Sequence, residues 1–242
     1  MEISSWNALW FNSDAQVRFV HTLAAGYTTG AIFVLSISAY YLLKGRDVAF
    51  AKRSMAIASG FGMASVLSVL VLGDANGLEI DHLQPAKMAA IEAVWSTPKA
   101  PAPWTLIGIP DQAKQKNRFP VDIPWGLSLI ATHSLTGTVT GLKQIIAANK
   151  IKIRHGMVAY AALMKLRGGD HSTQTKRTFK RYQKFLGYGL LLKPYTERVV
   201  DASTAQINAA ANKTIPNVFW MFWMFRIMVG CGLLMLLVFR II

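Results

Sequence analysis

A histidine, His21, lies in a run of residues, 19–43, that contains no Asp, Glu, Lys or Arg. Such a run exceeds the ~20 residues needed to cross a bilayer, and an imidazole placed there has no water to bond, so it needs a partner. A second apolar run, 218–239, carries Met221, Met224, Met228 and Met235 together with a single cation, Arg226. An imidazole and a thioether approaching from two helices form the axial pair of a low-spin haem, and a guanidinium nearby suits its propionates. Ala24, Ala25, Gly26 and Gly30 follow the histidine, and Gly230 and Gly232 follow Met228, so a macrocycle or a second helix has room beside each. Helix packing without a cofactor uses the same residue types, with the imidazole bonded to a carbonyl and Met filling gaps. Spacing alone leaves both readings open.

The elements that must position these residues follow from composition. A chain that is 52% hydrophobic yet carries a net charge of +14 is not one ordinary soluble domain. Its apolar residues are segregated into three stretches of membrane-spanning length, 19–43, 54–73 and 218–239, while the residues between the second and third are polar enough for an aqueous region. The expected fold is an all-α integral membrane protein with three transmembrane helices and a large, mostly helical loop. Its regions are 1–73 for the first two helices and their short connection, 74–217 for the loop, and 218–242 for the third helix.

Orientation follows from the connection between the first two spans, which holds Lys44, Arg46, Lys52 and Arg53 against Asp47. Short basic loops stay in the cytoplasm, so the long loop is expected on the periplasmic side of a bacterial inner membrane. Asn12, Ser13 and Asp14 are placed to cap the first helix. Cys231 is the single cysteine and lies in the third span, which excludes a disulfide within this sequence. The N-terminal residues lack the pattern of a cleaved secretory signal.

Within the loop, residues 74–127 are rich in Pro and Gly and read as irregular structure with one helix over 85–95. Residues 140–190 read as helical, with Ile146, Ile153, Met157 and Met164 at helical spacing. Lys176, Arg177, Lys180, Arg181 and Lys184 form a basic face opposite Phe179, Tyr182 and Leu186. Such a face is either a solvated surface or a contact for anionic lipid headgroups. His82, His133, His155 and His171 read as surface residues.

Six motifs in order make the chain recognisable: FVHTLAAGYTTGAIF (19–33), LLKGRDVAFAKRSMAIASGFGMASVLSVLVLGD (42–74), AKMAAIEAVW (86–95), IGIPDQ (107–112), LGYGLLLKPYT (186–196) and FRIMVGCG (225–232). Together they resemble the middle of subunit I of cytochrome bd quinol oxidases, in register through nearly the whole chain. The resemblance implies that His21 and Met228 ligate the iron of the low-spin haem b and that Arg226 lies near that haem. It implies that the loop binds quinol, with Lys87 and Glu92 of the KMAAIEA stretch and Asp74 after VLG as catalytic residues. Quinol oxidation releases two protons and two electrons, so a carboxylate to take protons and a donor to hold the oxygen suit the task. Five residues apart on a helix, Lys87 and Glu92 are offset by about 140° and can flank a headgroup without forming an i,i+4 pair.

Two departures stand beside the resemblance. The stretch after GIPDQ, acidic in the family, is AKQKNRF here, with Lys114, Lys116 and Arg118. The family's subunit also has helices before the first motif and after the last, and these supply the ligands of haem d and of the high-spin haem b. The expectation is therefore a portion of subunit I that oxidises quinol and passes electrons to the low-spin haem, with oxygen reduction requiring the remaining helices and subunit II. Membrane lipid and quinol are expected partners, and nucleic acid is not. A different class of function competes: a non-enzymatic relic, or a membrane adaptor that docks through its cationic loop. Retention of His21, Met228, Arg226, Lys87 and Glu92 together favours the oxidase portion.

Overall fold

The computed structural model describes residues 5–242; residues 1–4, the start of the expected 1–73 region, lie outside the described residues. In chain order the helices are α1 (Trp6–Trp10), α2 (Ser13–Leu43), α3 (Val48–Leu83) and α4 (Pro85–Ile91), followed by strands β1 (Trp104–Asp111) and β2 (Lys116–Ile123). Then come α5 (Gly126–Thr132), α6 (Leu142–Arg167), α7 (Thr173–Tyr182), α8 (Leu186–Leu190), α9 (Thr204–Asn212) and α10 (Val218–Ile241). The chain divides into two compact units, Met1–Gln84 with Trp223–Ile242, and Pro85–Phe222.

In the first unit, α2, α3 and α10 are each long and apolar enough to cross a membrane. The side chain of Asn12 accepts the amide of Ala15 at 3.1 Å, the N-cap expected at this position, and Asp14 and Arg18 pair one turn apart at 2.8 Å. After Leu43 the chain reverses in four residues, with Gly45 at φ +66 and Asp47 at φ 44. Glycine adopts that left-handed conformation without steric cost, so α2 and α3 pack as a hairpin. Ala31, Leu35, Ala58, Val66 and Phe239 form the buried core where α10 meets that hairpin. The Ser59 hydroxyl donates to the Phe239 carbonyl at 2.9 Å, and a Cβ on Gly62 would overlap the Phe239 ring. Hydroxyls inside the helices, such as those of Thr28, Ser36 and Ser65, donate to the carbonyl one turn back. They are thereby satisfied without water. Large apolar side chains such as Phe33, Ile57, Val71 and Leu234 are exposed, as on a bundle surface that faces lipid.

The second unit departs from the sequence reading of 74–127. Its helix ends at Ile91, and an antiparallel hairpin follows, with Trp104 opposite Ile123 and Asp111 opposite Lys116. Pro110 and Pro120 lie within the strands and argue against strands when read in sequence. A two-stranded hairpin tolerates them because each strand is an edge. The register shifts between Thr105 and Ile109, and Phe119 takes φ 49 opposite that irregular stretch.

Residues 140–190 are helical with breaks. Helix α6 buries Leu142, Ile145, Ile146, Asn149, Ile153 and Gly156 along one stripe, while Met164, expected on that stripe, is exposed. Helix α7 packs on α6, and the chain tightens through a 3-10 turn, Gln183–Phe185, before α8. Gly156 and Gly189 meet with backbones in contact, so a Cβ on either would strike the other helix. His155 is the exception to the expected surface histidines. Its ring lies 5.3 Å from that of Tyr182 and 5.1 Å from that of Phe185, and its Nδ1 is buried. The packing of α7 and the following turn on α6 covers it, which no local signal in α6 announces.

Candidate functional site

In the first unit His21 is half-buried, with its ring against α3: a Cβ on Gly73 would stand 3.2 Å from its Cε1. The absence of that Cβ makes the seat for the ring. His21 Nδ1 is buried without a hydrogen-bond partner among the described residues, an arrangement that costs about 1–3 kcal/mol unless another group meets the ring. Met228 is 54% exposed, so its thioether is not packed away inside the protein. Arg226 is half-buried two residues earlier, roughly 200° around α10 from Met228. Gly26, Gly30, Gly230 and Gly232 each have open space where a Cβ would stand. An imidazole without a protein partner, an uncovered thioether and smooth glycine faces are the features a flat macrocycle requires, so these residues fit a haem. Asp74 follows Gly73 on α3 and is exposed.

In the second unit Lys87 is half-buried on α4, and Glu92 is 5% exposed. The Glu92 amide still donates to Met88 O at 3.1 Å, so helical geometry reaches it; Ala93 then takes φ 50 and turns the chain away. Among the described residues Glu92 is the one acidic side chain that is buried. Its Oε2 accepts the indole N–H of Trp104 on β1 at 2.8 Å. Beside it, Trp95 Nε1 donates to Asn117 Oδ1 at 2.7 Å, and Asn117 Nδ2 donates to the Ala93 carbonyl at 3.1 Å. The hairpin therefore grips the end of the KMAAIEAVW motif from both strands. Trp104 and Asn117 escape sequence reasoning because their roles depend on a hairpin hidden by its prolines; the paired tryptophans 95 and 104 in a proline-rich stretch are the signal available.

The GIPDQ residues are placed structurally. Gln112 Oε1 accepts the Val218 amide at 3.0 Å, and Gln112 Nε2 donates to the Pro216 carbonyl at 3.4 Å, so its side chain caps the start of α10. The Lys114 amide donates to Asp111 Oδ1 at 3.0 Å and Arg118 pairs with Asp111 Oδ2 at 2.6 Å. These bonds, the amide first, hold the Asp111 carboxyl below its ordinary value. Of the three cations that depart from the family pattern, Arg118 is thus engaged, while Lys114 and Lys116 are exposed. An apolar groove of about 400 Å³ lies elsewhere, lined by Arg154, Met157, Val158, Ala161, Val200 and Ile207, and contains none of the candidate residues.

Three helices of membrane-spanning length, one carrying a buried imidazole nitrogen without a hydrogen-bond partner among the described residues, and a second unit enclosing a buried carboxylate, are the architecture of an integral membrane protein. The chain belongs to the cytochrome bd terminal oxidase subunit I family, whose family model matches residues 1–242. It is similar to cytochrome bd-II ubiquinol oxidase subunit 1 of Escherichia coli (strain K12), with 42% identity over 238 residues, covering 98% of this chain and 46% of that protein. Cytochrome bd ubiquinol oxidase subunit 1 of Bacillus subtilis (strain 168) is 30% identical over 192 residues, covering 79% of this chain and 38% of that protein. Among solved structures, bd oxidase from Geobacillus thermodenitrificans shares the fold, with a TM-score of 0.52 and 23% identity, covering 97% of this chain and 57% of that chain. The chain spans about half the length, or less, of these curated relatives.

Proposed function

We propose that this chain is the part of a cytochrome bd-type quinol oxidase that oxidises quinol and delivers the electrons to a low-spin haem b. The observation that carries the reading is Glu92, a carboxylate buried at 5% exposure that accepts the Trp104 indole N–H, in a family whose relatives are named ubiquinol oxidases. A buried, positioned carboxylate is suited to take a proton from a quinol hydroxyl, and the half-buried ammonium of Lys87 is suited to orient a quinol oxygen. Asp74 shapes the junction of the loop with the membrane.

His21 and Met228 would hold the haem, with Arg226 compensating its propionates. Bound there, the haem supplies one-electron chemistry at a potential raised by the thioether ligand. Residue counts support a common depth for the two ligands. Gly62 packs on Phe239; Gly73, under His21, follows Gly62 by eleven residues, and Met228 precedes Phe239 by eleven. No membrane-length apolar helix lies between α3 and α10, so α10 re-enters from the side where α3 leaves, and both steps climb about 16 Å in the same direction. The basic connection after Leu43 supports a cytoplasmic position for that connection and hence a periplasmic one for the opposite side. The remaining helices of subunit I, with haem d and the high-spin haem b, and subunit II would complete oxygen reduction.

The test is Glu92→Gln in oxidase assembled with the remaining helices. Glutamine keeps an oxygen for Trp104 but cannot take a proton, so haem reduction by quinol slows by about 10²–10⁴-fold while dithionite reduction and the visible spectrum stay unchanged. Equal quinol kinetics in the two proteins would make the loop structural. A reduced-minus-oxidised spectrum with no low-spin haem signal in the unaltered chain would remove the electron acceptor and the reading with it.

A further inference from the structure

The chain's charge is concentrated where the quinol reading has no use for it. Residues 142–193 contain twelve Lys and Arg against one acid, Asp170. That carboxylate is already engaged: Asp170 Oδ2 accepts the Thr175 hydroxyl at 2.8 Å and Oδ1 accepts the Ser172 amide at 3.0 Å. Neither the Asp14–Arg18 pair nor the Asp111–Arg118 pair involves this segment, and among the described residues none of Lys176, Arg177, Lys180, Arg181 and Lys184 forms a salt bridge with a carboxylate.

Helix α7 gathers these cations on one side. Lys176, Arg177, Lys180 and Arg181 on the helix, at spacings of one and four residues that make one face, and Lys184 in the 3-10 turn that follows it, are all exposed. The opposite side is committed to packing: Thr175 is buried, Phe179, Tyr182 and Phe185 are half-buried, and the last two rings close over His155 of α6. Arg181 rests over the Tyr182 ring at 5.5 Å and Lys184 over the Phe185 ring at 5.0 Å, so aromatic faces hold the cationic groups at the surface. A helix anchored in this way presents its charges as a fixed array.

We propose that this face of α7 docks on the anionic phospholipid headgroups of the membrane that the chain itself crosses. Chain connectivity favours lipid over other polyanions. The segment is tethered at both ends to membrane-length helices, α3 and α10, so a bilayer surface is always within reach at high effective concentration. A row of unpaired Lys and Arg beside such a surface is attracted to anionic lipid, and the attraction falls away within a Debye length. Docking would hold the loop against the bilayer from which a lipid-soluble quinol arrives. That consequence rests on the proposed function, but the docking does not.

The test uses the full chain in nanodiscs of phosphatidylcholine alone and of phosphatidylcholine with one-third phosphatidylglycerol, followed by hydrogen exchange of the 172–186 amides. The expected result is exchange slowed by about tenfold in the anionic discs, returning to the neutral-disc rate in 1 M salt, where the Debye length is about 3 Å. The variant K176Q/R177Q/K180Q/R181Q should lose the difference between discs while its α6 amides exchange as in wild type, which separates lost docking from lost folding. A control variant, K114Q/K116Q, should retain the difference. Equal wild-type exchange in the two discs overturns the proposal. So does protection that appears only on adding an acidic polypeptide such as polyglutamate, which would assign the face to a protein partner. Quinol kinetics are not read in this experiment, so its failure leaves the proposed function standing.

Discussion

The indole N–H of Trp104 donates to Oε2 of Glu92 over 2.8 Å, joining a β-strand to the residue that follows a helix twelve positions earlier. The carboxylate is 5% exposed, so this donor is a main reason that it tolerates burial. Trp104→Phe keeps the ring and removes the N–H. It should destabilise the second unit by about 1–3 kcal/mol, the cost of an acceptor left short of a donor. Denaturant midpoints of Trp104→Phe and of the double variant Trp104→Phe/Glu92→Leu check this. The double variant should recover part of the loss, because both polar partners are then gone.

Gly73 is the seat of the His21 ring. Gly73→Val places branched carbon where a single Cβ already stands 3.2 Å from Cε1, so the imidazole must turn or move outward. With His21 as the proposed haem ligand, low-spin haem content per chain should fall and the reduced spectrum should shift or broaden, whereas Gly77→Val, at a position with open space, should leave both unchanged.

Gly62 accepts the Phe239 ring. Gly62→Leu should push α10 off the α2–α3 hairpin, with overpacking costing about 1–3 kcal/mol. Gly62→Leu/Phe239→Ala should regain part of it, as read by thermal unfolding in detergent.

At the crossing of α6 and α8 the neighbours of Gly156 are backbone atoms of Gly189, and no rotamer change relieves them. Gly156→Ala should therefore cost more than the gain of about 0.5–1 kcal/mol that Gly→Ala gives in a free helix. Proteolysis in the 183–190 segment should accelerate as α8 lifts.

The hairpin tip should respond to acid. Asp111 is held below its ordinary value by the Lys114 amide and then by Arg118. A depressed carboxyl contributes stability that is fully present above the unfolded value of about 3.9 and is lost as pH falls through the lower folded value. Amide exchange over 111–118 should thus be flat from about pH 5 to 8, after correction for intrinsic rates, and rise below about pH 4. Asp111→Asn should abolish the acid step.

The spans were legible because crossing a bilayer demands a long apolar run, and 19–43, 54–73 and 218–239 satisfy that demand locally. The N-cap at Asn12 was legible for the same reason: a helix start is decided within three residues. The candidates His21, Met228, Arg226, Lys87, Glu92 and Asp74 were singled out by the ordered motifs and the resemblance they carry. Their surroundings did not. The hairpin of 104–123 hid behind Pro110 and Pro120, and with it went Trp104 and Asn117, which enclose Glu92 from a distance in sequence that no local pattern spans. Burial of His155 likewise depended on α7 returning across α6. Hydropathy and capping act through neighbours along the chain, and the sequence by itself determined what they govern. Which polar group is enclosed, and by what, depends on contacts between elements, and only the tertiary structure decided that a glutamate should be buried under a tryptophan and a histidine seated on a glycine.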